Sequence, residues 1–159
     1  MHYTDEKNVA LFARHGVYSL SEMKSREEIT MEEYVKVINI EALTSLDMLK
    51  KQIIPACIGY SKELAETVAV KKSIGVSAPV EAAKVQELTD MTAELCGLTD
   101  ALESAVAGAP EDVVACGMYD HETVIPAMEA ARKVADALEL KVAKKAWPVP
   151  TYADMLFYV

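Results

Sequence analysis

From Arg26 to Ser73 the chain holds its apolar residues at helical spacing, without a break until Gly75. Tyr34, Ile38, Leu46, Leu49, Ile53, Tyr60, Leu64 and Val68 are separated by threes and fours or their sums, the signature of one helix face. At 1.5 Å per residue, such a segment reaches about 70 Å. Pro55 lies inside it. Proline lacks the N–H that a helix interior needs, so the pattern predicts a kink rather than a straight rod.

The remaining segments fall into place around this helix. A short helix is expected over residues 5–15, stopped by Gly16, with His15 near its C-terminal dipole. Ser19-x-x-Glu22 and Ser25-x-x-Glu28 are both capping-box patterns that suit a helix start. A third helix begins after Ser77, with Pro79 in its first turn, and ends near Gly108. Its stripe of Leu88, Met91, Leu95, Leu98, Leu102 and Ala105 is that of a bundle or coiled-coil seam. Pro110, Glu111 and Asp112 open a fourth helical region, expected to run to about Ala146 with an interruption at Pro126. It presents Ile125, Met128, Ala131, Ala135, Leu138 and Val142 on one face. The fold class predicted is all-α. About three long, proline-kinked helices form an antiparallel bundle, with a short N-terminal helix and an extended C-terminal tail, all in a single helical domain over residues 1–159.

The third helix is shorter than the second, so it can return along only part of it. Residues 26–46 should then overhang the bundle, yet they carry Ile29, Met31, Tyr34, Val37, Ile38, Ile40, Leu43 and Leu46 on more than one face. Exposed apolar patches mark contact surfaces. The expectation is that something outside the chain covers them.

Composition narrows the function. A net charge of −9 argues against nucleic acid, because phosphate binding needs clustered Lys and Arg. No apolar run is long enough for a membrane span, and the first residues lack a signal peptide's basic start and apolar stretch. Cys57, Cys96 and Cys116 are odd in number and widely spaced, as expected of reduced thiols in a cytoplasmic protein. No phosphate loop, Cys-x-x-Cys, His-Glu-x-x-His or Gly-x-Ser-x-Gly is present. None of His2, His15 and His121 has a Glu three residues before it, which removes the di-metal bundle pattern. Asp120, His121 and Glu122 are adjacent and so point apart on a helix; a solvated helix start or loop is expected for them. Glu27, Glu28, Glu32 and Glu33 are expected to form a charged helix face. Met48, Met91, Met118, Met128 and Met155 suit core filling at helical spacing. Catalytic, cofactor-binding and metal residues are accordingly expected to be absent.

The last thirteen residues, "WPVPTYADMLFYV", depart from the rest: Trp147, Tyr152, Phe157 and Tyr158 sit among prolines and apolar residues. Pro148 and Pro150 favour an extended crossing, and Thr151-x-x-Asp154 suits a cap on one or two final turns. This tail closely resembles the C-terminal end of the type III, large-subunit glutamine synthetases. So do "KNVALFARHGV" with "SREEI", "EEYVKVINIEALTSLDMLKKQIIPA" and "VIPAMEAARKVADALE", in the same order. Asn39–Ala42 and the Trp-Pro-x-Pro-Thr-Tyr tail are the most specific matches.

The resemblance implies a parent that ligates ammonia to glutamate with ATP, uses a divalent metal such as magnesium, and assembles as a dodecamer. Its catalytic domain would lie upstream, and Met1 would mark an expression start or a truncated reading frame at a domain boundary. The chain itself would have no active site. Its partners would be the catalytic domain of the same polypeptide and sister subunits. Expected contact residues are Tyr34, Ile38, Ile40, Leu43, Trp147, Tyr152, Leu156 and Phe157, with residues 147–159 as a docking tail. The alternative is a stand-alone helical coiled-coil adaptor or oligomerisation module. A bundle metalloenzyme ranks third.

Overall fold

The structure, a computed structural model, describes residues 3–157, apart from the side chain of Tyr152. Tyr158 and His2 lie outside the described residues. The described chain is built from helices and their connections, with no strand among those residues.

Helix α1 (Glu6–Arg14) stops at Gly16, whose φ of 63° is open to glycine without strain. Of the two capping boxes, the first is used. The Ser19 hydroxyl accepts from the Glu22 N–H while the Glu22 carboxylate accepts from the Ser19 N–H, and α2 (Leu20–Met48) starts there rather than near Arg26. Tyr3, Phe12 and Tyr18 form an aromatic chain beside this junction. The Arg26 guanidinium lies over the Tyr18 ring at 4.5 Å, a cation–π contact.

The expected kink at Pro55 takes a specific form. Leu49–Ile53 make one π turn, and α3 (Ile54–Ser73) follows with Pro55 in its first turn. The same device recurs downstream. Helix α5 (Val113–Tyr119) passes through a π turn at Asp120–Val124 into α6 (Ile125–Glu139), with Pro126 in its first turn. Both prolines follow an isoleucine and precede an alanine.

Packing explains why a wider turn precedes each proline. The buried stripe Ile38, Ala42, Leu46, Leu49, Ile53, Cys57 steps mostly by four, more than the 3.6 residues of an α turn. Cys116, Asp120 and Val124 step only by four. An α-helix would rotate such a stripe out of the core. One π turn takes up the drift, and because proline cannot donate to the carbonyl four residues back, an α-helical bond is already missing there.

Gly75, with φ 77°, ends the rod, and α4 (Pro79–Ala107) returns antiparallel to α3. Its seam is buried as the spacing predicts: Leu88, Leu95, Leu102 and Ala105 line the core. Thr92 and Thr99 share that seam, and each hydroxyl donates to the carbonyl four residues back, at 2.6 and 2.7 Å. That bond satisfies each buried hydroxyl within its own helix, and the Thr92 hydroxyl also reaches the Cys57 thiol on α3.

Asp112 caps α5 by accepting from the Ala115 N–H at 2.9 Å. Helix α6 then runs back between the rod and α4 to complete a three-helix core. It ends at Glu139, short of the expected Ala146, and Leu140 is exposed beyond it. The apolar stripe reaches further because Val142 and Trp147 continue it from a turn and the short 3-10 helix Lys144–Ala146.

Two buried clusters result. One joins Leu49, Ile53, Cys57, Leu88, Leu95, Leu138 and Trp147, and the other joins Ile38, Ala42, Leu46, Leu102, Ala105 and Val124. Lys50–Glu103 at 2.6 Å, Lys141–Glu87 at 2.5 Å and Lys145–Glu63 at 3.3 Å cross between helices. All three pairs are solvent-exposed, so they favour register more than stability.

Candidate functional site

Residues 26–46 do not project bare from the bundle. Helix α5 packs on α2 beyond the end of α4 and covers one face of this region. The approach is close: a Cβ at Gly117 would overlap the Met31 sulfur, so that side chain would have to shift. The Tyr119 hydroxyl donates to the Ala105 carbonyl at 3.0 Å and fastens α5 to the end of α4. Met23 is fully buried and Met31 half-buried. The expected overhang is therefore corrected to a half-covered helix.

The other face of α2 stays open. Ile29, Ile40 and Leu43 are 61%, 63% and 50% exposed, and Val37 lies beside them. These positions fall on one side of the helix, opposite the buried Ile38, Ala42 and Leu46. Next to this face, α2, the first π turn and α6 enclose an open groove of about 700 Å³. Ile40, Thr44, Met48, Met128 and Trp147 line it. Its charged members, Glu41, Glu129, Asp136 and Glu139 against Arg132, leave it acidic.

The expected contact residues divide into two groups. Ile40 and Leu43 on α2, and Leu156 and Phe157 on the tail, present their side chains to solvent. Ile38 and Trp147 are buried within the bundle's own clusters, and Tyr34 packs against one of them, so these three side chains are engaged internally. The Tyr152 side chain lies outside the described residues.

The described part of the tail is held by contacts within the chain. Trp147 and Val149 pack on the bundle, and Thr151 and Asp154 form a capping box that starts α7 (Tyr152–Leu156). Lys144 donates to Asp154 at 2.5 Å. That bond, with those from Thr151, holds the Asp154 carboxyl well below the usual carboxylate range. The Trp147 indole N–H is buried with no hydrogen-bond partner.

The acidic clusters behave differently from each other. Glu32 accepts from Lys36 at 2.9 Å, as on a solvated helix face, whereas half-buried Glu27 accepts from the Thr4 hydroxyl at 2.9 Å across the N-terminal segment. In the Asp120–His121–Glu122 run, His121 and Glu122 are exposed, but Asp120 is only 4% exposed. The solvated helix start expected there is corrected for Asp120, because the second π turn keeps that residue on the buried stripe between Cys116 and Val124. Four-residue spacing from Cys116 was the available signal. Among the described residues, no three His, Cys, Asp or Glu side chains converge as metal ligands. No described helix is long and apolar enough to cross a membrane. The three cysteines are free.

The family profile described as the glutamine synthetase C-terminal domain matches residues 1–72, from α1 through most of α3. Glutamine synthetase of Butyrivibrio fibrisolvens is 31% identical over 172 residues, which cover 98% of this chain. The type-3 glutamine synthetase of Dictyostelium discoideum is 31% identical over 162 residues, covering 96% of the chain. The chain is thus similar to the glutamine synthetase C-terminal domain over residues 1–72, and to these two glutamine synthetases over nearly its whole length. A third relative, glutamine synthetase of Bacteroides fragilis (strain YCH46), is 26% identical over 99% of the chain. The chain spans 23%, 22% and 23% of these three glutamine synthetases, respectively. The matched residues include the whole of α2.

Proposed function

We propose that this chain is a docking and assembly element of a glutamine synthetase. The open side of α2 and the exposed Leu156 and Phe157 of the tail bear on the remainder of the same polypeptide and on sister subunits. The observation that carries this reading is the uncovered row Ile29, Ile40 and Leu43, in a chain that spans under a quarter of its relatives. Rows of large apolar side chains on one helix face are the usual mark of a contact surface. The parent reaction is ATP-dependent ligation of ammonia to glutamate in the cytoplasm, in a homo-oligomer that family resemblance makes a dodecamer. ATP and a divalent metal such as magnesium belong to its catalytic domain, and this chain has a structural role without an active site.

Two measurements test the reading. Glutamate-dependent ATP turnover by the chain alone is expected to be absent, and turnover would overturn the structural role. The chain should also co-purify with the separately expressed remainder of the parent, and Ile40→Glu with Leu43→Glu should abolish that association. Retention by the double variant would remove α2 as the docking face. Concentration-dependent self-association of the isolated chain, lost in the same variant, would instead support the coiled-coil module.

A further inference from the structure

Asp120 is a carboxyl group buried in an apolar stripe with one weak partner, the Cys116 thiol, whose sulfur lies at 3.8 Å. Burying a carboxylate is costly unless a cation or several donors accompany it. Desolvation accordingly pushes its pKa up. The group faces a cavity of about 220 Å³ between α2, the end of α4 and the second π turn. A water molecule occupies about 30 Å³, so the space exceeds what one or two waters need.

The lining is chemically divided. Val35, Ala42, Val106 and Val124 supply apolar walls, and Asp120 and Asn39 supply the polar atoms of interest. Lys36 also borders the space, but its ammonium is turned to Glu32 at 2.9 Å. An anion would meet Asp120 directly, and a neutral apolar ligand would leave the carboxylate without a partner. A metal ion would find one carboxylate, short of the oxygen ligands that hard cations take. A primary ammonium on a short methylene chain satisfies both parts at once: its N–H groups face Asp120 and Asn39, and its methylenes lie along the valines.

We propose that the cavity between α2 and the second π turn is a socket for an alkylammonium group, paired with the Asp120 carboxylate. The group could be carried by a free amine or by a lysine side chain of another protein segment; the chemistry is the same. This site is independent of the open face of α2 and does not rest on the docking role.

The experiment titrates n-butylammonium into the chain near neutral pH and follows the Asp120 side-chain carboxyl and the Val124 methyl groups by NMR. Butan-1-ol serves as the uncharged control. Nα-acetyl-lysine N-methylamide forms a second arm that presents the same group on a peptide backbone. The expected result is a saturable shift with n-butylammonium, with a dissociation constant on the order of millimolar for so small a ligand. Butan-1-ol should give none, and Asp120→Asn should lose the response. Binding of the lysine derivative would support a side-chain source, whereas its failure beside a positive n-butylammonium arm would support a free amine.

Two results would overturn the proposal. One is the absence of a saturable shift in the wild-type chain, which does not depend on the variant folding. The other is equal response to butan-1-ol. Lys36→Ala is expected to leave the affinity within about threefold. A rise of about tenfold or more would show that Lys36 itself fills the socket, and would overturn the assignment to an external amine.

Discussion

At the scale of single residues, two buried polar positions make opposite predictions. Thr99 spends its hydroxyl on its own helix, at the Leu95 carbonyl, which the backbone already serves. Thr99→Val should therefore change stability by less than about 1 kcal/mol. Leu102→Ala, one turn on in the same seam, should cost about 2–5 kcal/mol. Urea denaturation of both variants gives the comparison. Asp120 behaves in the other direction. Its native pKa is raised by burial, so the native state holds the proton more tightly than the unfolded chain does. Stability is then lost as pH rises from the ordinary carboxylate range through the native pKa, and the loss is complete above it. Of the charged groups around it, Lys36 borders the cavity from α2 and is paired with Glu32, and the Cys116 thiol is itself raised, chiefly by burial. Asp120→Asn in amine-free buffer should stabilise the chain more at about pH 7 than at about pH 4. The gain is about 1.4 kcal/mol for every tenfold by which folding tightens the carboxyl's hold on its proton. A thermal-melt series across pH that shows no difference would contradict this. Periodicity revealed the leucines of α4 but not the threonines between them, because a hydroxyl satisfied within its own helix leaves no pattern in the sequence. Asp120 was hidden for a related reason. Its neighbours His121 and Glu122 make the run look solvated, and only the four-residue step from Cys116 to Val124 places it inside.

At the scale of helices, the π turns are the features that proline announced without describing. A kink at Pro55 follows from its missing N–H, but the extra residue follows from the four-residue steps of the buried stripe, a packing requirement. If the π turn acts as a one-residue insertion, it can be removed. Deleting exposed Gln52 alone should leave Pro55 inside an α-helix and cost about 3 kcal/mol. Combining that deletion with Pro55→Ala should recover most of the loss, as read by circular dichroism melts. An uncorrected loss in the combined variant would show that the wider turn is not interchangeable with an α turn. The tail separates in a similar way. Trp147 packs on Leu138, Val142 and their neighbours, so Trp147→Ala should destabilise the bundle by about 3–5 kcal/mol. Leu156 and Phe157 are 72% and 77% exposed, and converting both to Ser should leave the melt of the isolated chain within about 0.5 kcal/mol. The cap on α7 was readable from Thr151-x-x-Asp154. The inward docking of Trp147 was not, because a tryptophan after a helix carries no mark of which surface it will meet.

At the scale of the whole molecule, the up-and-down order of three long helices followed from stop signals at Gly16, Gly75 and Gly108 and from short connections. What did not follow was the use of α5 to cover α2 past the end of α4, where Gly117 lies close against the Met31 side chain. With that coverage in place, the unpartnered apolar surface shrinks from an entire overhang to one face, Ile29, Ile40 and Leu43, beside an acidic groove. Surface substitutions there should not disturb the bundle, which makes the face separable from the fold. Sedimentation velocity of the full-length parent synthetase carrying Ile40→Glu and Leu43→Glu tests the docking role most directly. Docking through α2 predicts a shift from the assembled species to smaller ones, with the melt of the isolated variant chain unchanged. An assembly indistinguishable from wild type, with the variant chain folded, would contradict it.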